Sequence, residues 1–418
     1  MRVIVVGSGL LGVSSAWFLA RSGCEVTVLE RSGGVAEGTS YANAGMLTPS
    51  MADPWNSPGI FWHLLQWIGR EDAPFLLRPR ALPAMLGWGL QFVKHSAPSR
   101  QRAAMEHNLR LATYSLATLR ELRASLKLIY DERTNGTLKV FRDRKAFDES
   151  VARNRILASM GLDVRAVSAE QAVAIEPALA PVSHRLVGGI HCPSDESGDA
   201  RAFTLALADR ARDAGVRFVF DADVTGFEHD ARRVQAVRAG ERDYPADVFV
   251  IAAGSWSPLL LRQLRLWLPV RPVKGYSITV PTANWTGAPK MPVIDDALHA
   301  AATPLGARLR VAGTAEIAGY DLQRTPARID NLFKLLLELF PSYAPLLDRR
   351  AAEPWAGLRP VSPDGLPRIG RLGPRNLFVN TGHGHLGWTL AAGSGKLLAA
   401  LVRGTQPEIP AAPYDPRR

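Results

Sequence analysis

Hydrophobic and polar positions at the start of the chain predict a β-strand, a glycine-rich turn, an α-helix and a second β-strand. Apolar runs over residues 2–6 and 26–29 predict the two strands. The segment between them begins with Gly7, Gly9 and Gly12 and continues with helix-forming residues, and the second strand ends in the acid Glu30. This order of elements is typical of a βαβ unit that binds a dinucleotide.

Further along the chain, apolar residues at helical spacing predict helices, and short apolar runs predict strands. The predicted helices cover residues 101–127, 144–160, 203–214 and 326–340. The predicted strands cover residues 136–141, 216–220, 223–227, 234–238 and 248–254. Residues 270–315 alternate as antiparallel strands do, and a strand from residue 376 leads through a glycine loop into a helix that starts near Leu386. The pattern predicts an α/β fold that is interrupted by insertions.

Length and composition set the class of protein. The 418 residues are too many for one ordinary core, so we expect two domains, and 47% hydrophobic with 21% charged residues is ordinary globular composition. No uninterrupted apolar run of ~18 residues predicts a membrane span, and nothing resembles a signal peptide. The two cysteines, Cys24 and Cys192, favour a reduced cytoplasmic setting and supply neither a metal site nor a disulfide framework.

The formal net charge of +11 raises the question of an anionic partner. The arginines are scattered and form no nucleic-acid-binding motif, so we expect no nucleic-acid partner. Contact with anionic lipid and ordinary solubility charge both remain open.

The segment from Trp55 to Lys94 could provide such a lipid contact, because it mixes bulky apolar residues with cations. It could equally be an amphipathic covering of the second domain. Its apolar members include Trp62, Leu64, Leu65, Trp67, Ile68, Phe75, Leu76 and Leu77, and its cations include Arg70, Arg78, Arg80 and Lys94.

Three turns rich in small residues carry the candidate cofactor chemistry. In the first, Gly7 permits a tight turn, Gly9 lets main-chain N–H groups approach a pyrophosphate, and Gly12 permits close packing of helix and strand. Glu30 is placed to accept hydrogen bonds from ribose hydroxyls. The second turn follows the strand at residues 250–257. The third lies within residues 376–389, where a helix N-terminus could stabilise negative charge on the far part of a long cofactor.

Taken together, these motifs resemble the D-amino acid oxidase superfamily of FAD enzymes, and most closely its bacterial D-amino acid dehydrogenase small-subunit branch. The resemblance spans the whole chain. The motifs that carry it are residues 7–12, Ala42-Asn43-Ala44-Gly45, Ser194-Asp195-Glu196-Ser197-Gly198-Asp199, Lys274-Gly275-Tyr276-Ser277, Gly357-Leu358-Arg359-Pro360 with Pro363-Asp364-Gly365, and Thr381-Gly382-His383-Gly384.

The resemblance implies noncovalent FAD, because neither cysteine matches a known attachment position. It also implies a discontinuous Rossmann-like FAD-binding domain (residues 1–50, 185–265 and 350–418) and an α+β substrate domain with a mixed or antiparallel sheet (residues 51–184 and 266–349). The residues expected to bind FAD are Gly7, Ser8, Gly9, Leu10, Leu11, Gly12, Glu30, Arg31, Ser40, Asn43, Ala44, Gly45, Met46, Val224, Ala253, Gly254, Gly357, Arg359, Gly384, His385, Leu386, Gly387, Trp388 and Thr389.

Arg359 is the first candidate for binding a substrate carboxylate, because a guanidinium fork matches a carboxylate in a bidentate manner. In the superfamily the arginine of this motif has that role, whereas the alternative for an isolated arginine is a structural ion pair. Tyr276 could supply a hydroxyl near the carboxylate or could pack in a strand core. Tyr320 and His385 are further candidates, although a histidine beside a glycine loop is often a local hydrogen-bonding group.

The activity that the resemblance implies is oxidative deamination of D-amino acids to 2-oxo acids and ammonia. Hydride would pass from Cα to flavin N5, and the electrons would continue to a quinone-type acceptor at the inner face of the cell membrane. No pair of residues is arranged as a dedicated general base, so orientation and charge placement would be the protein's contribution. Two alternatives remain open: a substrate that is a secondary amine (cis-4-hydroxy-D-proline, D-proline or sarcosine) or glycine, and a flavin- or nucleotide-binding module without turnover.

Overall fold

Two large sheets organise the parts of the chain that the computed structural model describes, which are residues 1–56, 75–230 and 232–418. The strands are β1 (Arg2–Val6), β2 (Glu25–Leu29), β3 (Met46–Leu47), β4 (Phe75–Leu77), β5 (Thr137–Phe141), β6 (Arg165–Val167), β7 (Gly188–Cys192), β8 (Glu196–Ser197), β9 (Arg217–Val219), β10 (Val224–His229), β11 (Val234–Ala239), β12 (Arg242–Pro245), β13 (Val248–Ile251), β14 (Arg271–Pro281), β15 (Val293–Asp295), β16 (Ala300–Leu305), β17 (Arg308–Ile317), β18 (Glu353–Val361), β19 (Arg368–Arg371) and β20 (Leu377–Thr381). The α-helices are α1 (Leu10–Arg21), α2 (Leu82–Lys94), α3 (Pro98–Leu126), α4 (Arg144–Ser159), α5 (Ala169–Ile175), α6 (Ala200–Asp213), α7 (Ser257–Arg262), α8 (Pro326–Leu339) and α9 (Gly387–Arg403).

The first large sheet, here called the nucleotide sheet, has the strand order β19–β20–β13–β1–β2–β9. Neighbouring strands run parallel except at the edge, where β19 is antiparallel to β20. Because both faces of the sheet are covered, the central strand β13 is apolar throughout and every one of its residues is buried. The pairing of Val5 with Val250 places the turns that follow β1 and β13 side by side at the carboxyl edge of the sheet.

The second large sheet, here called the substrate sheet, has the order β18–β14–β17–β16–β15–β5–β7–β6, with β4 added beside β17. Its pairs are antiparallel except β15 with β5 and β17 with β4. Helix α8 packs its apolar residues, among them Leu332 and Leu336, against this sheet. This mixed, largely antiparallel sheet is the one expected for the substrate domain.

Four helices cover one face of the nucleotide sheet. Helix α9 packs against both α1 and α3, and α1 also packs against α6. The close approach depends on small residues, because a Cβ at Gly395 of α9 would lie 2.7 Å from the main chain of Ser14 in α1. The largest apolar core of the described residues lies between these helices and the strands β1, β2 and β13.

The predicted helices and strands are present within a few residues of their expected bounds. The helices expected over 101–127, 144–160, 203–214 and 326–340 are α3, α4, α6 and α8, and the helix expected near Leu386 is α9. Several elements were not predicted, among them helix α2 and strands β7 and β18. Helix α2 lies in the segment considered for lipid contact, and β18 passes through the Gly-Leu-Arg-Pro motif without a clean alternation of apolar and polar residues.

Three segments lie elsewhere than the expected domain boundaries place them. Strand β18 was expected in the FAD-binding domain, but it pairs with β14 in the substrate sheet. Strand β7 also pairs within that sheet. Helix α3 was expected in the substrate domain, but Leu111, Leu116 and Leu119 join the core beneath the nucleotide sheet. The long apolar face of α3 fits that core, which sequence order alone does not reveal.

No helix among the described residues is long and apolar enough to cross a membrane. Much of the segment considered for lipid contact, including Trp62, Leu64, Leu65, Trp67, Ile68 and Arg70, lies outside the described residues.

Candidate active site

A cavity of about 850 Å³ lies between the carboxyl edge of the nucleotide sheet and the substrate sheet. Its wall includes most of the residues predicted to bind a cofactor, and these come from both ends of the chain. They are Gly7, Gly9, Leu10, Leu11, Glu30, Arg31, Ser40, Asn43, Ala44, Gly45, Met46, Val224, Ala253, Gly254, Gly357, Arg359, Gly384, His385, Gly387 and Trp388. Ser8, Gly12, Leu386 and Thr389 do not line the cavity and lie behind this wall.

The glycines of the first βα turn leave room for a phosphate beside the main chain. Gly7 has φ +104°, and a Cβ there would lie 2.7 Å from the carbonyl oxygen of Ala252 in the neighbouring turn. A Cβ at Gly12 would overlap the carbonyl of Gly7, so α1 approaches β1 as closely as the sequence predicts. The N-cap of α1 is Gly9, which has no side chain to cap the helix. The positive end of α1 therefore faces the cavity, where it can stabilise an anion.

Glu30 is fixed at the end of β2 by three hydrogen bonds. Its carboxylate accepts from the Ser8 N–H (2.7 Å), the Ser8 hydroxyl (2.9 Å) and the Ser32 N–H (3.0 Å). Beside it, the Arg31 guanidinium lies 4.0 Å from the ring centroid of Trp256. This end of the cavity has the donors, acceptors and flat surface that an adenosine requires.

The loop that follows Ser40 is tied to the substrate sheet. Hydroxyls of Ser277 and Thr303 donate to the carbonyls of Ala42 and Ala44, each at 2.7 Å. Ser40 itself accepts from the Leu10 N–H at 3.0 Å. These bonds fix the loop along the cavity between the two sheets.

Helix α9 begins at the opposite end of the cavity. Two buried polar atoms there, Trp388 Nε1 and His383 Nδ1, have no hydrogen-bond partner among the described residues. The other ring nitrogen of His383 lies 2.9 Å from the Ser394 hydroxyl. Unpartnered buried polar atoms are costly, and a polar ligand at this end would satisfy them. Thr389, one of the predicted residues behind the wall, accepts from the Thr48 N–H at 3.0 Å and so holds the strand β3 region in place.

Arg359 lies in the wall of the cavity, where its side chain is half-buried. Burial lowers its pKa to about 10, which leaves it charged at neutral pH. It forms no ion pair with any residue of the described ranges, and its one hydrogen bond is long, 3.5 Å from Nη1 to the Thr314 carbonyl. A half-buried cation without a counterion is costly, and an anionic ligand would remove that cost.

Trp55 and His385 complete this side of the site. The Arg359 guanidinium lies 5.6 Å from the Trp55 ring centroid, and His385 is stacked on Trp55 at 5.2 Å with nearly parallel rings. His385 Nε2 donates to the Met51 carbonyl at 3.1 Å. Burial and the nearby Arg359 lower the pKa of His385 to about 4, so the ring is neutral at neutral pH.

Sequence reasoning did not assign Trp55 to the site. It lies in the segment considered for lipid contact, and only its neighbours in space reveal its place beside Arg359. In the structure the preceding residue, Pro54, packs against Gly365 of the Pro-Asp-Gly motif, a contact that the sequence alone does not reveal.

Tyr276 also lines the cavity, but its hydroxyl is already bonded. It donates to Glu316 at 2.5 Å and lies 3.2 Å from the Thr325 hydroxyl. Glu316 is further held by Arg78 and by the buried Lys274, at 2.7 and 3.5 Å. A substrate that bound the Tyr276 hydroxyl would have to compete with this network.

Tyr320 does not line the cavity. Its hydroxyl donates to the Ser255 carbonyl at 3.0 Å, and its ring packs against Trp256. Its position therefore supports the turn after β13.

These features fit FAD. The glycine turn leaves space for the pyrophosphate, the Glu30 end suits adenosine, and the unpartnered Trp388 and His383 nitrogens suit a polar heterocycle at the far end. One long cavity connects these places with Arg359.

Comparison with known proteins agrees with this assignment. Residues 2–401 match the family model described as DAO, FAD dependent oxidoreductase. The D-amino acid dehydrogenase of Paramagnetospirillum magneticum is 44% identical over 97% of this chain and 95% of its own length. That of Azorhizobium caulinodans is 43% identical over 98% and 97%. Among solved structures, L-proline dehydrogenase from P. horikoshii superposes with a TM-score of 0.78 over 100% of this chain and 97% of its own, at 19% identity, which supports the fold alone.

Proposed function

The chain belongs to the DAO family of FAD-dependent oxidoreductases, and we propose that it oxidises D-amino acids to 2-oxo acids and ammonia. The relatives named D-amino acid dehydrogenase, which match almost the whole chain, support this substrate class. The observation that carries the proposal is the half-buried Arg359 side chain, which has no counterion among the described residues and lies in the same cavity as the cofactor-binding turns.

In this proposal the protein binds and orients the substrate. Arg359 holds the carboxylate by two parallel charge-assisted hydrogen bonds. Trp55 forms one wall beside it, and the neutral His385 adds no charge that would repel a substrate ammonium. FAD supplies the two-electron acceptor for the hydrogen that leaves Cα. Burial of the site excludes water and strengthens each of these electrostatic contacts.

Anaerobic mixing of the purified holoenzyme with single substrates tests the proposal. We expect D-alanine and other D-amino acids to bleach the flavin absorbance, and the matched L-enantiomers to leave it unchanged. Ethylamine, which lacks the carboxylate of alanine, should also leave it unchanged, because Arg359 then has no ligand. Bleaching by none of the amino acids would reject the proposal and favour a binding module without turnover.

The secondary-amine alternative is tested by the same assay. D-proline, cis-4-hydroxy-D-proline, sarcosine and glycine should be poorer substrates than the D-enantiomers of larger primary amino acids. A higher kcat/KM for any of these four would assign the site to that alternative instead.

We further propose that the electrons pass to a quinone-type acceptor at an anionic membrane surface. Helix α2 supports this, because it buries Met85, Trp88 and Phe92 and turns a second apolar face to the solvent. On that face Leu86 and Leu90 are 67% and 74% exposed. The exposed cations Arg80, Lys94 and Arg100 lie close to it in the chain. An exposed apolar stripe with neighbouring cations suits the interface of anionic lipid.

Sedimentation with vesicles tests the membrane contact. The holoenzyme should sediment with phosphatidylglycerol vesicles at low salt and less at high salt. The double variant Leu86→Ser with Leu90→Ser should lose most of this binding, whereas Ile129→Ser, at a lone exposed apolar residue on another part of the chain, should retain it. Equal binding by all three proteins would reject this face as the contact. A soluble quinone should reoxidise the reduced enzyme faster than oxygen does.

A further inference from the structure

The guanidinium of Arg359 lies against the main chain of Gly275. In the substrate sheet, Gly275 of β14 pairs with Gly357 of β18, two residues before Arg359. A Cβ at position 275 would overlap Nη1, Cζ and Nη2 of Arg359. Only glycine therefore leaves space for the guanidinium in its observed position.

A β-bulge faces the guanidinium from the other neighbouring strand. Gly275 pairs with Ala315 of β17, but Tyr276 pairs with Gly313, so Thr314 is an extra residue in β17. Its φ of +60° lies in the left-handed region, which is strained for a β-branched residue. Its carbonyl is the acceptor for Arg359 Nη1. Bulges next to sites commonly re-aim a group in this way.

The remaining contact is also uncharged. Trp55 lies over the guanidinium, His385 is stacked on Trp55, and His385 Nε2 donates to the Met51 carbonyl. Within the described ranges, then, the shape of the surroundings rather than an ion pair orients Arg359. The full charge of the guanidinium remains available to a ligand.

We propose that Gly275 and Thr314 are positioning residues, which hold the plane of the Arg359 guanidinium for a bidentate carboxylate through their main chains. The inference rests on the proposed function, in which Arg359 binds the substrate carboxylate. It adds that the glycine at position 275 and the main-chain bulge at position 314 are required by this geometry and not by the sheet alone.

Binding of propionate to the holoenzyme tests the role of Gly275, measured by titration calorimetry and by the flavin absorbance change. We expect Gly275→Ala to weaken propionate binding at least about tenfold, since the displaced guanidinium loses its bidentate geometry. The control is Gly188→Ala in β7 of the same sheet. A Cβ there would lie 2.8 Å from the Phe147 ring, away from Arg359, so this variant should bind propionate like the wild type.

A double-mutant cycle shows whether Gly275 acts through Arg359. In an Arg359→Ala background, the change Gly275→Ala should have no further effect on propionate affinity. If Gly275→Ala alone fails to fold, relief of the overlap predicts that Gly275→Ala with Arg359→Ala folds and binds FAD. A full effect of Gly275→Ala in the Arg359→Ala background, or misfolding of both proteins, would overturn the proposal.

Thr314→Gly separates the main chain of Thr314 from its side chain. Glycine accepts φ +60° without strain and keeps the carbonyl, so propionate affinity should stay within about twofold and stability should not fall. A tenfold loss would show that the side chain, not the carbonyl, is the functional group.

The two proposals fail separately. Suppose that the wild type binds propionate, that the variants lose affinity as expected, and that no amino acid bleaches the flavin. This result would support the arrangement around Arg359 and contradict the proposed function. A wild-type enzyme that is bleached by D-amino acids yet binds propionate equally well with and without the Gly275→Ala change would do the reverse.

Discussion

At the scale of single residues, the site depends on the half-buried guanidinium of Arg359. Arg359 is surrounded by a glycine main chain, a carbonyl and an aromatic ring, none of which neutralises it. The nearby buried Lys274, by contrast, lies within 3.5 Å of Glu316 and 3.6 Å of Asp321. Two cations in one sheet thus have different environments, and only the one without a carboxylate partner faces the candidate substrate site.

Replacement of Arg359 should therefore affect the substrate rather than the cofactor. We expect Arg359→Ala to lower kcat/KM for D-amino acids on the order of a hundredfold or more, because a bidentate charge-assisted contact is lost. Arg359→Lys keeps the positive charge but loses the two parallel N–H donors, so its kcat/KM should lie between the values of the wild type and Arg359→Ala. Stopped-flow reduction and the flavin content of the purified proteins measure both effects. An unchanged kcat/KM in Arg359→Ala would remove Arg359 from the site.

A buried charge elsewhere predicts a dependence of stability on pH. Asp195 accepts from the Ser50 N–H, the Ser50 hydroxyl and the Thr137 hydroxyl, and no cation pairs with it in the described part of the chain. Burial raises its pKa from 3.8 to about 6, while these hydrogen bonds oppose the rise. The folded state then binds the proton more tightly than the unfolded state. Asp195 therefore contributes its full stabilisation below the pKa that it has in the unfolded state. That contribution is lost as the pH rises through its pKa in the folded state.

The variant Asp195→Asn should lack this dependence. Between about pH 4 and about pH 7, the wild type should lose roughly 3 kcal/mol of unfolding free energy relative to the variant, since each unit of pKa shift corresponds to about 1.4 kcal/mol. Urea denaturation at a series of pH values measures the difference. If the unfolding free energies of the two proteins changed with pH in parallel, Asp195 would not titrate in this range.

At the scale of elements, helix α9 joins the cofactor end of the cavity to the core. Gly395 packs on the main chain of Ser14 in α1, and Gly393 packs on Ser115 of α3. A Cβ added at Gly393 would lie 2.8 Å from Ser115. Both glycines are buried inside a helix, where glycine by itself is unfavourable. Close packing of three helices compensates for that cost.

Gly395→Ala should consequently destabilise the protein although alanine is the better helix former. Overpacking at such a crossing costs roughly 1 to 3 kcal/mol. The matched control is Gly87→Ala in α2, where an added Cβ meets nothing within 4 Å. It should stabilise by up to roughly 1 kcal/mol. Thermal unfolding of the two variants compares them directly, and a stable Gly395→Ala protein would show that the helices can move apart.

Elements were predictable from sequence where one signal dominates. The apolar period of α3 and the alternation along β14–β17 identify them without any contact information. Strand β18 was not found, because Gly357 and Pro360 interrupt the pattern and its pairing with β14 is set by residues far apart in sequence. The arrangement around Arg359 was missed for the same reason, since Gly275, Thr314 and Trp55 come from three segments that only the fold brings together.

At the scale of the whole molecule, the cofactor connects parts of the chain that are far apart in sequence. The first βα turn holds one end of the cavity, and residues from Gly384 to Trp388 hold the other. Sequence motifs predicted both ends, because each is a local turn at a helix start. Only the structure shows how the two ends are placed relative to one another and that the substrate sheet lies along the cavity between them.

Binding at the two ends should be separable with ADP, which reproduces only the adenine and diphosphate part of FAD. At a concentration of one hundred times its Kd, ADP should stabilise the apoprotein by about 2.7 kcal/mol. Glu30→Gln should weaken ADP and FAD alike, because both have the ribose beside Glu30. Trp388→Phe removes the unpartnered Nε1 and should weaken FAD on the order of tenfold while leaving ADP unchanged. Calorimetric titration of the apoproteins of the wild type and both variants measures the affinities for ADP and FAD. If Trp388→Phe weakened ADP as much as FAD, the two ends would not bind independently, and the assignment of the α9 end to the flavin would be wrong.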